Sequence, residues 1–168
     1  MLAATPLDLV PPRDARTFRD ALGSFATGVT IVTTRTTGGR ACGVTVNSFT
    51  SLSLDPPLVL WSLALSSSSY PAFDEATHFV VHVLAEGQEH IARQFARSGV
   101  DRFANLDLQE SVQGIPMLPG VVARFQCRTH CRYWGGDHAI FVGEVDGFTH
   151  APERKPLVFH KGAMRGGL

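Results

Sequence analysis

Short runs of β-branched and apolar residues dominate the hydrophobic pattern of the chain, and only a few segments have helical spacing. Seven runs bounded by glycine, proline or polar residues predict strands, at 29–34, 41–49, 58–65, 78–85, 121–134, 138–150 and 156–160. The first two are predicted to pair as a hairpin, as are the two around residues 135–137. Many strands with frequent turn signals favour a β-barrel.

Helical spacing is confined to three short stretches. Asp14 is predicted to cap a helix from Ala15 in which Phe18, Leu22 and Phe25 bury one face. A helical turn is expected at 73–77, and a helix with an exposed charged face at 87–99. Residues 101–120 are predicted to be mostly irregular.

The composition indicates one globular domain spanning residues 1–168, with a loose, proline-containing lead-in at 1–13. The chain is 44% hydrophobic and carries 15 basic and 15 acidic residues, so its formal net charge is zero. A nucleic-acid or anionic-membrane surface needs a basic excess, and neither partner is expected.

The location is predicted from what the sequence lacks. No apolar run approaches the roughly 20 residues that span a bilayer, and the first residues do not resemble a signal peptide. The cysteines, Cys42, Cys127 and Cys131, are an odd number without a disulfide pattern. A reducing cytoplasm is therefore the expected compartment.

Two clusters of small polar side chains follow strand-like runs. In the first, Thr45–Ser51, hydroxyl groups surround Asn47, whose amide both donates and accepts. The second is Ser66–Ser69. Such groups suit an uncharged, hydrogen-bonding ligand or, with backbone N–H groups, a phosphate. Alone, the first cluster is equally compatible with an ordinary turn, and the second favours a solvated linker.

No GxxxxGK[ST] or GxGxxG motif occurs, which argues against nucleotide binding in the Rossmann manner. Six segments in order do resemble the short-chain flavin reductases, the NAD(P)H:flavin oxidoreductase components of two-component flavin monooxygenases. They are SFATGVTIVTT, GVTVNSFTSLSLDPPLVLWSL, HFVVHVLAEGQEHIARQFA, DRF, GDHAIFVGEV and PLVFHKG. The resemblance covers the chain from about Phe18 to Gly162.

The resemblance implies a mainly β fold, an FMN-binding split β-barrel with a few short peripheral helices. It implies a homodimer that binds FMN or FAD in a groove near the dimer interface. It also implies reduction of that flavin by NADH, with NADPH left open, and release of reduced flavin to a separate oxygenase. NADH is preferred here because no basic cluster in the sequence awaits a 2′-phosphate.

Site residues follow from the same resemblance. Flavin contacts are implied at Thr45, Val46, Asn47, Ser48 and Ser51. Ribityl and phosphate contacts are implied at Ser66, Ser67 and Ser68, where the family usually reads RSSRT. Because this chain has no arginine in that segment, Arg102 is the candidate cation, with Phe103 near the flavin rings.

Two histidines complete the implied site. His82 stands where the family commonly has asparagine in FAVNVL, so it either contacts the flavin edge or is a core or solvent-facing residue. In isolation, Asp137 and His138 indicate a hairpin turn with an incidental histidine. They match the family's GDH motif, however, whose histidine lies near the nicotinamide, and Asp137 is suited to hold one imidazole nitrogen and orient the ring. His138 is therefore the predicted catalytic residue. His160 has an open role.

Two alternatives remain at this stage. The first is a flavin-binding split barrel that is not a reductase, either an electron carrier or an oxidase-like protein. The second is a metal-dependent β-barrel enzyme, but no HxH pair completes a ligand set, and no metal is expected. Cys127 and Cys131 lie about 13 Å apart on one strand at roughly 3.3 Å per residue, too far to share a metal or a disulfide.

Overall fold

The structure is a computed structural model that describes residues 14–166. Its helices are α1 (Ala15–Leu22), α2 (Tyr70–Glu75) and α3 (Glu89–Ala96). Its strands are β1 (Thr27–Gly28), β2 (Thr30–Arg35), β3 (Ala41–Val46), β4 (Thr50–Leu54), β5 (Pro57–Ala64), β6 (His78–Val83), β7 (Gln109–Glu110), β8 (Pro116–Met117), β9 (Ala123–Gly135), β10 (His138–His150), β11 (Leu157–His160) and β12 (Ala163–Gly166). The predicted lead-in at 1–13 lies outside the described residues, and the single-domain assignment stays a prediction.

A seven-stranded antiparallel sheet forms the body of the fold, in the order β3-β2-β6-β9-β10-β5-β4. Strands from both halves of this order contribute to one buried cluster, so the sheet curls around a common core. The ladder does not close between its edge strands. The Ser48 hydroxyl instead joins the segment after β3 to β5, accepting from Ser62 N at 2.9 Å and donating to Ser62 O at 3.1 Å. The predicted mainly β split barrel is confirmed.

Aromatic rings fill the barrel interior. Trp61 stacks on Phe141, with ring centroids 4.6 Å apart and an interplanar angle of 14°. Phe73 of α2 and Phe79 of β6 meet Trp61 edge-on at 4.9 and 5.7 Å. These contacts plug one end of the barrel with α2, so the serine run just before that helix is held at the barrel mouth.

A second buried cluster lies on the other face of the sheet, under α3 and β11. Because Gly43 has no side chain, α3 can approach β3 closely: a Cβ at this position would lie 2.5 Å from the Phe95 ring. The Thr45 hydroxyl donates to Ala92 O at 2.7 Å and ties the same two elements together. β3 is thus fixed from its outer side, and it carries the first polar cluster.

Several elements differ from the predictions. α2 begins at Tyr70, earlier than expected, and residues 50–54 form β4 where only a polar run was expected. β4 is an edge strand whose residues are largely exposed, a place that accepts serine and threonine without a hydrophobic alternation. β12 forms after the last predicted strand, in residues for which no element was predicted.

The predicted burial of α1 is wrong for the single chain. Asp14 caps the helix as expected, accepting from Arg16 N and Thr17 N. The helix ends at Leu22, so Phe25 lies beyond it. Phe18, Leu22 and Phe25 remain 51%, 59% and 78% exposed, and α1 has no buried residue. No residue of α1 belongs to either of the two buried hydrophobic clusters, so neither cluster covers the apolar face of this helix.

Among the described helices, none is both long and apolar enough to cross a bilayer.

Candidate functional site

A cleft of about 360 Å³ opens beside the end of β3, and we call it the Asn47 cleft. It is lined by Thr45, Val46, Asn47, Ser48, Ser62, Leu63, Ala64, Ser67 and His138. The fold therefore brings both predicted polar clusters and the predicted catalytic histidine to one place. Ser62 was not singled out from the sequence, because only the tertiary pairing with Ser48 places it there.

The polar groups of the Asn47 cleft are not equally available. The Thr45 and Ser48 hydroxyls already bond Ala92 O and the Ser62 backbone, so they mainly hold the walls in place. The Ser67 hydroxyl accepts from Ser69 N at 3.2 Å. The exposed Asn47 amide has no hydrogen-bond partner among residues 14–166, which leaves it free to bind a ligand.

Asp137 and His138 form an oriented pair at the turn between β9 and β10. Asp137 Oδ1 lies 2.7 Å from His138 Nδ1, and Asp137 O accepts from Leu65 N at 2.9 Å. The hydrogen bond from His138 lowers the pKa of Asp137, so the carboxylate is ionised and can only accept. Nδ1 must therefore carry the proton, and in the neutral ring Nε2 is left as an acceptor toward the cleft.

A second cleft, of about 330 Å³, contains the candidate cation, and we call it the Arg102 cleft. Arg102 Nη1 donates to Gly43 O and to Ser69 Oγ, each at 2.7 Å, and Arg102 Nε donates to Arg97 O at 2.8 Å. These three bonds fix the guanidinium, whose Nη2 has no partner among the described residues. The geometry leaves a rigid positive group facing the cleft.

Other residues of the Arg102 cleft were partly foreseen. The remaining lining residues are Arg40, Ala41, Cys42, Gly43, Ser68, Ser69, Gly99, Val100, Asp101 and Phe103. Ser68 and Phe103 were predicted to be site residues, although Phe103 also packs edge-on against Phe95 at 5.0 Å. Arg40 and Ser69 were not predicted, and only the position of Ser69 at the end of the serine run gave a signal.

The two clefts lie along the same strand, β3, and we call them together the groove. Ala41–Gly43 of β3 line the Arg102 cleft and Thr45–Asn47 line the Asn47 cleft, while Ser67 and Ser68 divide between them. From Ala41 to Asn47 the strand covers about 20 Å at roughly 3.3 Å per residue. The groove has a neutral, hydrogen-bonding end and a cationic end.

A smaller, mostly apolar cleft of about 250 Å³ adjoins the groove on its α3 side. It shares Thr45, Val46 and Asn47 with the Asn47 cleft. Its other lining residues are Val29, Ala92, Arg93, Ala96, Phe159 and Met164. This apolar surface next to Asn47 suits a flat ring system.

Three predicted site residues lie apart from the groove. Ser51 is exposed on β4, where it pairs with Val59, and Ser66 is exposed but lines neither cleft. His82 is fully buried on the α3 side of the sheet, with Nδ1 3.0 Å from Ile31 O. Because the His82 ring has no exposed surface, it cannot contact a flavin bound in the groove. In this structure His82 is a core residue, which was one of the alternatives from the sequence.

His82 is electrostatically unusual. Burial is the main cause that lowers its pKa to about 3, against the opposing effect of the bond to Ile31, with nearby Arg124 adding to the decrease. The carbonyl of Ile31 accepts from Nδ1, and the buried Nε2 has no partner among the described residues. The ring is therefore neutral in the folded protein.

Within residues 14–166, no group of three or more His, Cys, Asp or Glu side chains is placed to hold a metal ion. Cys42, Cys127 and Cys131 are all free thiols.

Comparison with known proteins identifies the family. Residues 22–168 match the flavin reductase like domain. The chain belongs to this family. It is 51% identical over 151 residues to an FMN reductase (NADH), SmoA, of Agrobacterium fabrum, covering 90% of this chain and 85% of that protein.

Two further relatives show the range of the family. The chain is 48% identical over 136 residues to the reductase component of a flavin-dependent trigonelline monooxygenase of Acinetobacter baylyi. That match covers 81% of this chain but only 44% of the longer relative. The solved structure of the Streptomyces globisporus NADH:FAD oxidoreductase, in complex with NAD and FAD fragments, superimposes with a TM-score of 0.90 at 40% identity, covering 96% of this chain and 98% of that one.

Proposed function

We propose that the protein is an NADH-dependent flavin reductase that transfers a hydride from NADH to FMN or FAD. The observation that carries this proposal is the groove, which joins Asn47, Ser67 and the Asp137–His138 pair at one end to Arg102 at the other. Family membership and the NADH-dependent FMN and FAD reductases among its relatives support it.

The donor set of the groove fits a flavin nucleotide. A flavin has a flat, uncharged ring with a hydrogen-bonding edge, then a hydroxylated chain, then an anionic phosphate. The Asn47 amide and the adjoining apolar cleft suit the ring, and the serine run suits the chain. The fixed guanidinium of Arg102, with Arg40 beside it, suits the phosphate. Arg102 thus takes the place of the arginine that this chain lacks in its serine run.

The bound flavin itself supplies the chemistry of accepting a hydride. The chain contributes position and electrostatics, since hydride transfer needs no acid–base pair. Asn47 would hold the polar edge of the ring, where a hydrogen-bond donor stabilises developing negative charge. His138, kept by Asp137 with Nε2 as an acceptor, would hold the nicotinamide at the mouth of the Asn47 cleft.

The direct test is NADH oxidation by the purified protein with no flavin, with riboflavin, with FMN and with FAD. The proposal expects flavin-dependent oxidation that falls in His138→Ala, mainly through a higher KM for NADH. Tight flavin binding without oxidation of NADH or NADPH would instead support an electron carrier or oxidase-like barrel.

The proposal includes a partner that consumes the product. Reductase components of two-component monooxygenases stand among the relatives, and a separate flavin-dependent oxygenase receiving reduced flavin is the corresponding partner here. Coupled turnover with such an oxygenase is the test. The free thiols support a reducing, cytoplasmic location.

A homodimer is also part of the proposal. Phe18, Leu22 and Phe25 each keep more than half of their surface exposed, and Leu54 on the edge strand β4 is 93% exposed. A second copy covering these side chains would give the helix the buried face that its pattern demands. Sedimentation of the wild type against Phe18→Ser/Leu22→Ser tests this, with a monomeric wild type as the contrary result.

A further inference from the structure

The largest of the clefts described here, about 450 Å³, is not part of the groove of the proposed function. It lies against the exposed side of α3, and we call it the α3 cleft. It is lined by His90, Arg93, Gln94, Arg97, Val100, Asp101, Ala104 and Asn105. It shares Val100 and Asp101 with the Arg102 cleft, so the two clefts are neighbours across one segment.

Two arginines, Arg93 and Arg97, give the α3 cleft its positive charge. Arg93 and Arg97 are one helical turn apart, and both are exposed. Neither guanidinium has a hydrogen bond or an ion pair among residues 14–166, and the acidic Asp101 is the opposing charge in the lining. The sequence did not reveal this pair as a site. Arg93 lies in a segment that carries the family resemblance, but no site role was assigned to it, and Arg97 directly follows that segment.

Hydrogen bonds hold the segment between the two clefts against α3. Gln94 Nε2 donates to Arg102 O at 2.9 Å and to Ala104 O at 3.0 Å, which ties the segment to α3. Arg102 Nε donates to Arg97 O at 2.8 Å from the other side. The same arginine that faces the proposed phosphate site therefore also anchors the C-terminal end of α3.

We propose that the α3 cleft binds the adenosine 5′-phosphate half of FAD, so that the protein prefers FAD to FMN. The proposal rests on the proposed function, because it continues the flavin beyond the Arg102 cleft. A pyrophosphate that extends beyond Arg102 would reach Arg93 and Arg97 on the neighbouring surface. Neither guanidinium has a partner among residues 14–166, so both are available to the second phosphate. The Oε1 atom of Gln94, whose Nε2 is already bonded to Arg102 O and Ala104 O, and the amide of Asn105 provide hydrogen-bonding partners for an adenine edge.

FMN ends at its phosphate and has nothing to place in the α3 cleft. The arginine pair should therefore increase the affinity for FAD and have little effect on the affinity for FMN. Two exposed charge contacts are worth about tenfold in affinity together.

The test is a titration of FMN and FAD by flavin fluorescence, with no NADH present, on the full chain. The variant is Arg93→Gln/Arg97→Gln. The matched control is Arg16→Gln/Arg165→Gln, which removes the same charge from exposed side chains that line none of the clefts described here. Thermal unfolding of both variants checks that the fold is kept.

We expect the wild type to bind FAD more tightly than FMN. The variant should weaken FAD about tenfold and leave FMN within about twofold, while the control changes neither. Equal binding of FMN and FAD by the wild type would overturn the proposal, as would an equal loss of both flavins in the variant. Either of these outcomes would leave turnover with FMN intact, so the proposed reductase function would not be affected.

NADH also contains an adenosine phosphate, and a measurement of the KM for NADH with FMN as the flavin tells the two ligands apart. If the variant raises the KM for NADH when FMN is the flavin, the arginine pair serves NADH, and the assignment to FAD is overturned. If the KM for NADH is unchanged with FMN while FAD alone weakens, the assignment to FAD is supported.

Discussion

His82→Asn should change how the stability of the protein depends on pH. His82 is completely buried and neutral, with a pKa of about 3 in the folded state against 6.5 for an ordinary histidine. On unfolding, the ring becomes free to take up a proton in mildly acidic solution. The unfolded state therefore binds more protons than the folded state between these two pKa values.

The stability of the protein should fall as the solution becomes acidic. Because the folded pKa is lowered, the stabilisation from keeping His82 neutral is fully present above pH 6.5 and is lost as the pH falls toward 3. Each pH unit below the unfolded pKa costs about 1.4 kcal/mol, so about 2 kcal/mol is lost between about pH 7.5 and about pH 5. This estimate at pH 5 needs only a folded pKa well below 5.

The window avoids the perturbed carboxylates. The pKa values of Asp14 and Asp137 are lowered below the model-compound value of 3.8, by hydrogen bonds from Thr17 and His138 respectively. Their contribution is present above that value and is lost only as the pH falls through their lower folded pKa. Between pH 5 and 7.5 they stay ionised in both states.

Urea unfolding at fixed protein concentration measures the effect, because a fixed concentration removes any contribution from association. The free energy of unfolding of the wild type should fall by about 2 kcal/mol over this range. His82→Asn keeps an N–H donor for Ile31 O but no titrating ring, so its fall should be smaller by that amount, whatever its stability at neutral pH. His150→Asn, at an exposed histidine, is the control and should follow the wild type. Parallel pH profiles for the wild type and His82→Asn would refute the reasoning.

Three further predictions concern the groove and its supports. Asp137→Asn removes the anion that sets the tautomer of His138, so the KM for NADH should rise about tenfold with little change in thermal stability, since the carboxylate is exposed; an unchanged KM would contradict the pairing. Arg102→Lys cannot bond Gly43 O, Ser69 Oγ and Arg97 O together, so titrations should show FMN weakened more than riboflavin; equal losses would count against the phosphate role. Gly43→Ala pushes a methyl group into the Phe95 ring and should cost about 1–3 kcal/mol in urea unfolding, whereas Gly147→Ala, with nothing within 4 Å, should not.

The strands were predictable because runs such as 29–34 and the long hairpin around Gly136 carry β-branched residues between clear turn signals. β4 was missed because an exposed edge strand needs no hydrophobic alternation. α1 had the right helical pattern, but a pattern does not say whether its apolar face meets the same chain or another one.

The candidate site was predictable in its parts rather than its arrangement. Asn47 and His138 were singled out by resemblance, and only the barrel brings them to one cleft. His82 lies on a strand buried on both faces, where alternation gives no signal of which side chains reach a ligand. The bracing of Arg102 by Ser69 depends on a tertiary contact that spacing cannot reveal.

The groove is proposed to let NADH reduce a flavin. The most direct measurement is the absorbance of FMN and FAD, without oxygen, after NADH is added to the purified protein in catalytic amount. Flavin colour should be lost in proportion to the NADH added, and more slowly with His138→Ala. Flavin that binds to the protein and keeps its colour in the presence of NADH would contradict this proposal.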